Sequence, residues 1–462
     1  MTRIAWDGKT MKTTPFSKVL SASVLCFALS IGTGQATAAD LGGNCCADLE
    51  ERIAELEATT ARKGNRKVSL SVTGWVSSQL FYFDDGFEDN VYVVDNSNDL
   101  STNFKFTGSA QIVPGWKAGY TLWVYTDPGN SLVSNQDVVG GGAGIALEHA
   151  FWWIESDKYG KVSVGKQSLG ADNAVVMTDF TGTLFPANAV TFDGSFMKLR
   201  PKGGNPGSAG YATGIDGNWG NFAWCESAAL GIGNDCAGLR LNGVRYDTPT
   251  IAGFVASASW GEDDYWDVAL RYAGEHAGFK FAAATAYAEV SDAGIGPLGP
   301  VGDSQYFEIG GTLKHVASGL WVHGYFGHTE ADDPDVPDGD GYYVKAGLSR
   351  GYFPIGQTHM YAEYGQNLDT RSSTDACATF AGAGGNIAAA CALDGGATAF
   401  TESTLSRYGL GVVQDIDAAS MTLWAKWRRM ELDTTLAGPV SGTVNQEFEP
   451  IDMFLAGAVI FF

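Results

Sequence analysis

The sequence predicts an all-β fold, a 16-stranded antiparallel transmembrane β-barrel. Its 462 residues include 61 glycines, and 12% of them are aromatic. This composition suits twisted strands and tight turns, because glycine costs about 1 kcal/mol relative to alanine inside a helix. From Lys67 onward, apolar residues recur at every second position, as in half-buried strands. The connections between these strands alternate between short turns and mostly long loops, which is the third indication.

Residues 1–39 are predicted to be a secretory signal peptide. Lys12 precedes an apolar run over 19–31, which is followed by small residues up to Ala38 and Ala39. A basic start, a short apolar core and an A-x-A site are typical of a leader that is cleaved on export. The run is too short for a membrane helix. We expect cleavage after Ala38 or Ala39, and the second methionine, directly before Lys12, is an alternative start.

Residues 40–66 are predicted to form a short periplasmic helix ahead of the barrel, which would occupy residues 67–462. Leu49, Ile53 and Leu56 lie on one stripe of this helix, with charged residues opposite. A brief coiled coil between protomers and a single solvated helix are both open interpretations.

Sixteen segments with a period of two are predicted as strands. Side chains of successive strand residues point to opposite faces, so this period separates an apolar face from a polar one. The segments are 68–76, 101–113, 116–126, 146–156, 160–168, 239–248, 251–261, 264–274, 277–290, 304–315, 318–329, 341–350, 356–367, 402–415, 418–431 and 450–462.

The connections indicate how these strands are arranged. Short turns follow the even-numbered strands. Long polar segments follow most of the odd-numbered strands, the connection near Glu262 being an exception: 84–100, 127–145, 169–238, 368–401 and 432–449. This alternation is typical of outer-membrane barrels, in which short turns are periplasmic and long loops lie at the cell surface. Segment 169–238 is unusually long for an irregular connection, so we predict that it folds into the lumen as a constriction loop.

The apolar face of each predicted strand is expected to face lipid, because a charge there costs several kcal/mol at mid-depth. The eighth strand, for example, presents Trp266, Val268 and Leu270 on that face. The opposite face carries the charged strand residues and three tryptophans: Lys105, Lys117, Arg271, Lys280, Lys314, Lys345, Arg407, Lys426, Arg428, Asp267, Glu308, Glu363, Trp75, Trp123 and Trp321.

Charge and cysteine content narrow the function class. A net charge of −23 argues against nucleic acid as a partner, because phosphates require a basic face. An even number of cysteines follows the leader, which favours disulfides in an oxidising compartment. Local pairing of Cys225 with Cys236 and of Cys377 with Cys391 is the preferred connectivity.

No catalytic, metal or cofactor site is expected. None of the six histidines lies in a metal motif such as H-E-x-x-H, and the chain has no G-x-S-x-G nucleophile motif. A barrel enzyme and a purely adhesive surface protein are the other classes considered.

The leader, the strand number, the terminal Phe462 and the long third loop resemble those of Gram-negative general porins. Residues 240–254, which follow that loop, resemble the strand after the constriction loop in such porins. The cysteine pair before Lys67 and residues 158–167 are most similar to the alphaproteobacterial porin family. The resemblance implies a homotrimer in outer-membrane lipid of a Gram-negative bacterium. It implies a water-filled pore for passive diffusion of small hydrophilic solutes and ions, and a substrate-selective channel on the same barrel is the alternative.

The resemblance also implies that acids on the third loop face basic residues on the wall. Candidate constriction residues on the loop are Asp179, Asp193, Lys198, Arg200, Lys202 and Asp216. Candidate wall residues are Lys105, Arg240, Arg271, Lys280, Lys345, Arg407, Lys426 and Arg428.

Overall fold

The structure is a computed structural model. It describes residues 2–5, 12–15, 68–96, 100–126, 129–141, 144–190, 193–204, 217–223, 240–261, 264–291, 303–332, 338–369, 377 and 385–462. The predicted helix over 40–66 lies outside these residues, as do Asp216, Cys225 and Cys236. Thr2–Ala5 and Lys12–Pro15 pair as a small antiparallel sheet, and the signal peptide and its cleavage stay a prediction.

Sixteen strands close into one antiparallel barrel, as the sequence predicts. They are β1 (Ser71–Asp84), β2 (Asn103–Val113), β3 (Trp116–Thr126), β4 (Ile145–Ser156), β5 (Gly160–Ser168), β6 (Arg240–Asp247), β7 (Phe254–Gly261), β8 (Trp266–His276), β9 (Phe279–Val290), β10 (Ser304–His315), β11 (Leu320–Ala331), β12 (Gly339–Phe353), β13 (Gly356–Leu368), β14 (Ala399–Ile416), β15 (Met421–Gly438) and β16 (Ile451–Phe461).

Pairing of the first strand with the last closes the barrel. Trp75 of β1 lies opposite Phe461 of β16 at one end of this seam, and Asp84 lies opposite Asp452 at the other. Closure removes unpaired strand edges, which hydrocarbon does not tolerate.

Several strands run further than predicted at the end that carries the long loops. β1 continues to Asp84, and its extension pairs with a short additional strand, Asp89–Val94. A second short strand, Gly442–Glu447, pairs with the extension of β15. Apolar residues occupy both faces of the β1 extension, so the period of two that marks a half-buried strand is lost there.

The short connections are tight turns of the kind that the sequence indicates. Gly115 follows β2 with φ 80°, and Gly278 follows β8 with φ 81°. This left-handed conformation is accessible to glycine because it has no Cβ. By the usual wiring of such barrels, this end is periplasmic and the long loops are extracellular.

Helical structure in the described residues is short. It comprises α1 (Gly220–Ala223), α2 (Gly385–Leu393) and the 3₁₀ turns Val176–Thr178 and Asp417–Ala419. None of the helices in the described residues has the length and apolar character needed to cross a bilayer.

The two faces of the wall differ as predicted. Val268 and Leu270 of β8 are exposed on the outside, whereas Asp267 and Ala269, their neighbours in sequence, are buried inside. Other outward apolar side chains form a continuous band: Val76, Leu80, Leu122, Trp152, Val162, Val244, Ile309, Val322, Val344, Leu410, Leu423 and Phe454. Such a band is stable only when acyl chains cover it.

Part of the inner wall is built from small residues. Ala282, Ala284, Ala286 and Ala288 form the inward face of β9. The last three pack in one apolar cluster with loop residues such as Val175. On β10, a Cβ at Gly310 would lie 2.5 Å from Val175 Cγ1. These residues leave room for a segment of chain inside the barrel.

The orientation of the wall can be tested by placing one charge on each face. Leu270→Arg, in the middle of β8 and outward, is expected to destabilise the barrel by about 2–4 kcal/mol, because the guanidinium would enter hydrocarbon. Thr107→Arg, inward on β2, is the matched control and should cost much less. Urea unfolding of the protein in phospholipid vesicles, followed by tryptophan fluorescence, measures both. Equal destabilisation would contradict the assignment of faces.

Candidate functional site

The third loop (169–239) enters the lumen where β5 ends. Arg245 of β6 donates hydrogen bonds to the carbonyl oxygens of Ser168 (3.1 Å) and Leu169 (2.9 Å). The Ala171 N–H donates to Asp267 Oδ2 of β8 at 2.9 Å. The root of the loop is therefore fixed to the wall at the strands that follow it.

The next loop residues pass over the small-residue wall. The Val175 N–H donates to Glu308 Oε1 of β10 at 3.2 Å. Tyr306 of the same strand donates to Glu308 Oε2 at 3.0 Å. Glu308, which the sequence placed inside the barrel, thus binds the loop backbone at the start of the 3₁₀ turn.

Asp179 joins the loop to β12. Lys345 Nζ lies 2.5 Å from Asp179 Oδ2, and it also donates to Ala187 O at 2.6 Å. The Thr181 N–H and hydroxyl donate to Asp179 Oδ1. Burial alone would raise the pKa of Asp179, but the Lys345 ammonium, His323 and the Thr181 hydrogen bond together lower this pKa below its usual value.

Asp193 joins the loop to β15 and β1. Its carboxylate forms ion pairs with Lys426 and, at 3.4 Å, with Arg428. Gln79 of β1 donates to its other oxygen at 3.3 Å. Burial acts to raise the pKa of Asp193, yet the two cations hold it at about 2. Arg428 also pairs with Glu363 of β13 at 2.8 Å, which links three inward charges into one network.

Phe185, at the tip of the loop, packs in an aromatic cluster on the wall. The ring centroid of Phe185 lies 5.6 Å from Trp75, 5.6 Å from Phe461 and 6.3 Å from Trp424. Trp75 and Trp123 are 6.0 Å apart. Two tryptophans that are distant in sequence are therefore brought together, and Trp321 belongs to the same apolar cluster.

The basic residues of the loop contact other extracellular loops. Lys198 pairs with Asp137 after β3. Arg200, which is buried, pairs with Asp85 at 2.8 Å and with Glu88, both after β1. Lys202 pairs with Glu447 at 2.8 Å, and hydrogen bonding to that carboxylate raises the pKa of Lys202. These contacts hold the return half of the loop at the rim.

An apolar core fills the extracellular half of the lumen on one side. Phe222 of α1 packs with Phe400 of β14, and both belong to a cluster with Phe81 and Phe83 on the inward face of β1. Ile387 of α2 joins the same cluster. Sequence reasoning missed this core, because the predicted first strand ended at residue 76 and three tryptophans were the only apolar residues named on the inward face.

The disulfide predicted between Cys377 and Cys391 is present. Cys391 lies on α2 and is buried in the apolar core just described, here called the rim core. Asp394, just after the helix, accepts hydrogen bonds from the N–H groups of Val440 and Ser441. The disulfide and these two hydrogen bonds fix α2 over the rim. The pair Cys225–Cys236 stays a prediction.

The remaining wall candidates fall into two groups. Arg271 donates to Gly170 O and Arg407 donates to Ala189 O, so both bind the loop, as Lys345, Lys426 and Arg428 do. Lys105 of β2 instead lies over the Trp123 ring, with Nζ 3.8 Å from its centre. Lys280 lies near the periplasmic end of β9, 3.6 Å from Glu275.

Arg240 lies where β6 begins, next to the root of the loop. Its Nε is 2.8 Å from Glu148 of β4 and 3.7 Å from Asp172 of the loop. Arg240 therefore lies beside Asp172, at the root of the loop, and on the side of the wall that carries Lys105. Among the described residues, no group of three or more His, Cys, Asp or Glu side chains is suited to hold a metal ion.

Comparison with known proteins decides the family. The sequence profile described as Gram-negative porin matches residues 22–420. The chain belongs to this porin family. This porin is therefore a channel protein of the outer membrane of a Gram-negative bacterium. No curated protein sequence is significantly similar to it.

A solved porin structure shares its fold, and other outer-membrane protein structures are similar to it. The anion-selective porin from Comamonas acidovorans is 15% identical, with a TM-score of 0.51 over 86% of this chain and 100% of that one. OmpT from Vibrio cholerae is 10% identical, with a TM-score of 0.48 over 87% and 99%. A triple mutant of the Rhodopseudomonas blastica porin is 14% identical, with a TM-score of 0.42 over 85% and 100%.

Replacing Asp193 with Asn is expected to loosen the third loop and to remove one pH-dependent contribution to its docking. With a folded pKa of about 2 against an ordinary value of about 3.9, the carboxylate contributes about 2–3 kcal/mol above about pH 4. This contribution is lost as the pH falls from about 4 towards 2. Hydrogen exchange of the loop amides across that range measures it, and D193N should lack the acid-induced loosening.

Asp137→Asn is the control for this prediction. It removes the carboxylate of an ion pair in which Asp137 is 66% exposed, and exposed pairs contribute little. The assignment of Asp193 as the main anchor would be wrong if D137N loosened the loop as much as D193N.

Proposed function

We propose that this porin is a passive diffusion channel in which the third loop narrows a water-filled pore. The observation that carries the proposal is the run of loop contacts along the inner wall, from Asp267 of β8 to Gln79 of β1. A barrel of sixteen to eighteen strands is wide enough for an aqueous channel. A loop fixed across such a lumen reduces its free cross-section and so limits the size of the solute.

The pore is proposed to run between the loop and the wall formed by β2 to β5. The contacts of the loop lie mainly on β8 to β16, which leaves this part of the wall to face water. Lys105 and Lys117 are inward charges there. Arg240 stands at its edge, where it is largely buried in its ion pairs with Glu148 and Asp172.

The loop acids Asp179 and Asp193 are proposed to position the loop rather than to face basic residues across open water. Each is buried and paired with a cation on the wall against which the loop lies. The transverse field implied by the porin resemblance would then come from other charges, with Asp216 a remaining candidate. Lys198, Arg200 and Lys202 are proposed to act at the rim, through their pairs with neighbouring loops.

A simple diffusion pore is preferred over a substrate-selective channel. Selectivity for sugars would require a row of aromatic side chains that face the pore. Trp75, Trp123 and Trp321 instead pack in the cluster that receives Phe185. We also propose that the protein has no catalytic activity and that it assembles as a homotrimer, as the porin resemblance implies. Cross-linking of the detergent-solubilised protein tests the trimer.

The pore is tested by currents in planar bilayers. A diffusion channel gives a conductance that rises in proportion to salt concentration, and it admits solutes up to a size limit in liposome swelling. Absence of current from correctly folded protein would refute the proposal. Saturation of the flux of one solute at low concentration would instead favour the selective channel.

Phe185→Ala is expected to raise the conductance and the size limit. The substitution removes three aromatic pairs, each worth about 0.5–1.5 kcal/mol, so the loop tip would leave the wall more often. Val138→Ala, at an exposed position after β3, is the control and should leave both quantities unchanged. Single-channel recording and swelling with sugars of increasing size measure the effect, and an unchanged F185A pore would show that the tip does not set the aperture.

A further inference from the structure

Thr181 and Gly182 form a bend of the third loop, here called the elbow. It lies against a hydrogen-bonded chain of three side chains on adjacent strands. His359 Nδ1 of β13 is 2.8 Å from Ser349 Oγ of β12. His359 Nε2 is 3.0 Å from Asp415 Oδ2 of β14. Ser349 in turn lies 3.3 Å from the carbonyl oxygen of Thr181 in the loop. The chain connects a carboxylate of the wall to the backbone of the loop.

The loop backbone contacts the His359 ring directly. Gly182 has φ 87°, and a Cβ at this position would lie 2.4 Å from His359 Cε1. A side chain there would displace the loop or the ring. The elbow thus rests on the imidazole, and it has no room to move sideways without losing the contact between Thr181 and Ser349.

The Ser349 hydroxyl has one proton and two acceptors for it. Trp321 Nε1 donates to Ser349 Oγ at 2.9 Å, which occupies one lone pair. An ionised Asp415 accepts only, so His359 Nε2 carries a proton. In a neutral imidazole, Nδ1 then carries no proton. It accepts a hydrogen bond from the Ser349 hydroxyl, in competition with Thr181 O.

Protonation of the ring changes this arrangement. Nδ1–H then donates to Ser349 Oγ, whose two lone pairs are both occupied, because Trp321 also donates to it. The hydroxyl proton is left with Thr181 O as its acceptor. We propose that His359 is a positioning residue of the third loop, which tightens the elbow at acid pH by directing the Ser349 hydroxyl onto the Thr181 carbonyl. This proposal rests on the diffusion pore proposed above.

Other inward charged groups on the same elements bind other partners, and on β14 Arg407 donates to Ala189 O of the loop. On β12 and the loop, Lys345 pairs with Asp179. On β13, Glu363 pairs with Arg428 of β15. In the described residues, the ion pair of His359 is with Asp415, whose second oxygen accepts from Thr422 at 2.9 Å. A change of charge on His359 is thus transmitted chiefly through Ser349 and Asp415.

The same three residue types form the triad of serine hydrolases, but the elbow leaves no space for an acyl substrate. Thr181 O and Trp321 Nε1 both contact Ser349 Oγ, and Gly182 covers the ring. A nucleophile needs a free approach and donors for the developing oxyanion. The geometry therefore favours a structural chain over a reactive one.

The test is the pH dependence of the folded channel in planar bilayers. Histidine is the side chain that ordinarily changes charge between about pH 5 and pH 8. Between these values, acid should lower the frequency of loop-opening transitions about fivefold, the change expected when the Ser349 hydroxyl gains the Thr181 carbonyl as its acceptor. His359→Gln should abolish this response. Ser349→Ala, which keeps the imidazole but removes the relay, should abolish it too.

His328→Gln is the matched control. This outward histidine of β11 pairs with Asp340 of β12, at 2.9 Å, rather than with the third loop, so its variant should keep the full response. A response that persists in H359Q and S349A, or that disappears in H328Q alone, overturns the proposal. Hydrolysis of p-nitrophenyl butyrate that depends on Ser349 would also overturn it. A wild-type protein that conducts no current at pH 8 would refute the pore itself. A conducting pore without the histidine-dependent response would refute only the role proposed for His359.

Discussion

The constraint on which this structure depends is that no backbone N–H or C=O in the hydrocarbon region can remain unpaired. Sixteen strands meet it by closing β16 onto β1. Closure fixes an inside and an outside at every residue, so the apolar positions must face lipid and the charged positions the lumen. The cations that bind the third loop are available because of this constraint. Lys345, Lys426 and Arg428 are inside because the outside would be far more costly for them.

The sequence was sufficient for features that follow from periodicity and connection length. The short turns, the alternation of Val268 and Leu270 with Asp267, and the Cys377–Cys391 pair could all be predicted from neighbouring residues. The inward positions of Lys345, Lys426 and Glu308 follow from strand parity in the same way. Which of these side chains bind the loop could not be predicted. Asp179 and Asp193 lie in a segment without periodic apolar residues, and their partners are over a hundred residues away in sequence.

Two other features were beyond sequence reasoning for a related reason. The rim core formed by Phe81, Phe83 and Phe222 has apolar residues on the face assigned to water, and only the three-dimensional position of α1 explains them. The chain Ser349–His359–Asp415 draws one residue from each of three strands, with no motif in any of them. Spacing along one strand carries no information on a contact made across strands.

The aromatic cluster at the loop tip has a consequence for how the molecule is assembled. Phe185 touches Trp75 of the first strand and Phe461 of the last, on the two sides of the closing seam. The site that receives the tip does not exist until the final strand has been added. During biogenesis the tip of the loop must therefore remain undocked while the other strands pair, and it can enter its position only as the barrel is completed. Docking of the tip then opposes separation of the seam, so the segment that narrows the channel also acts as an internal brace against its reopening.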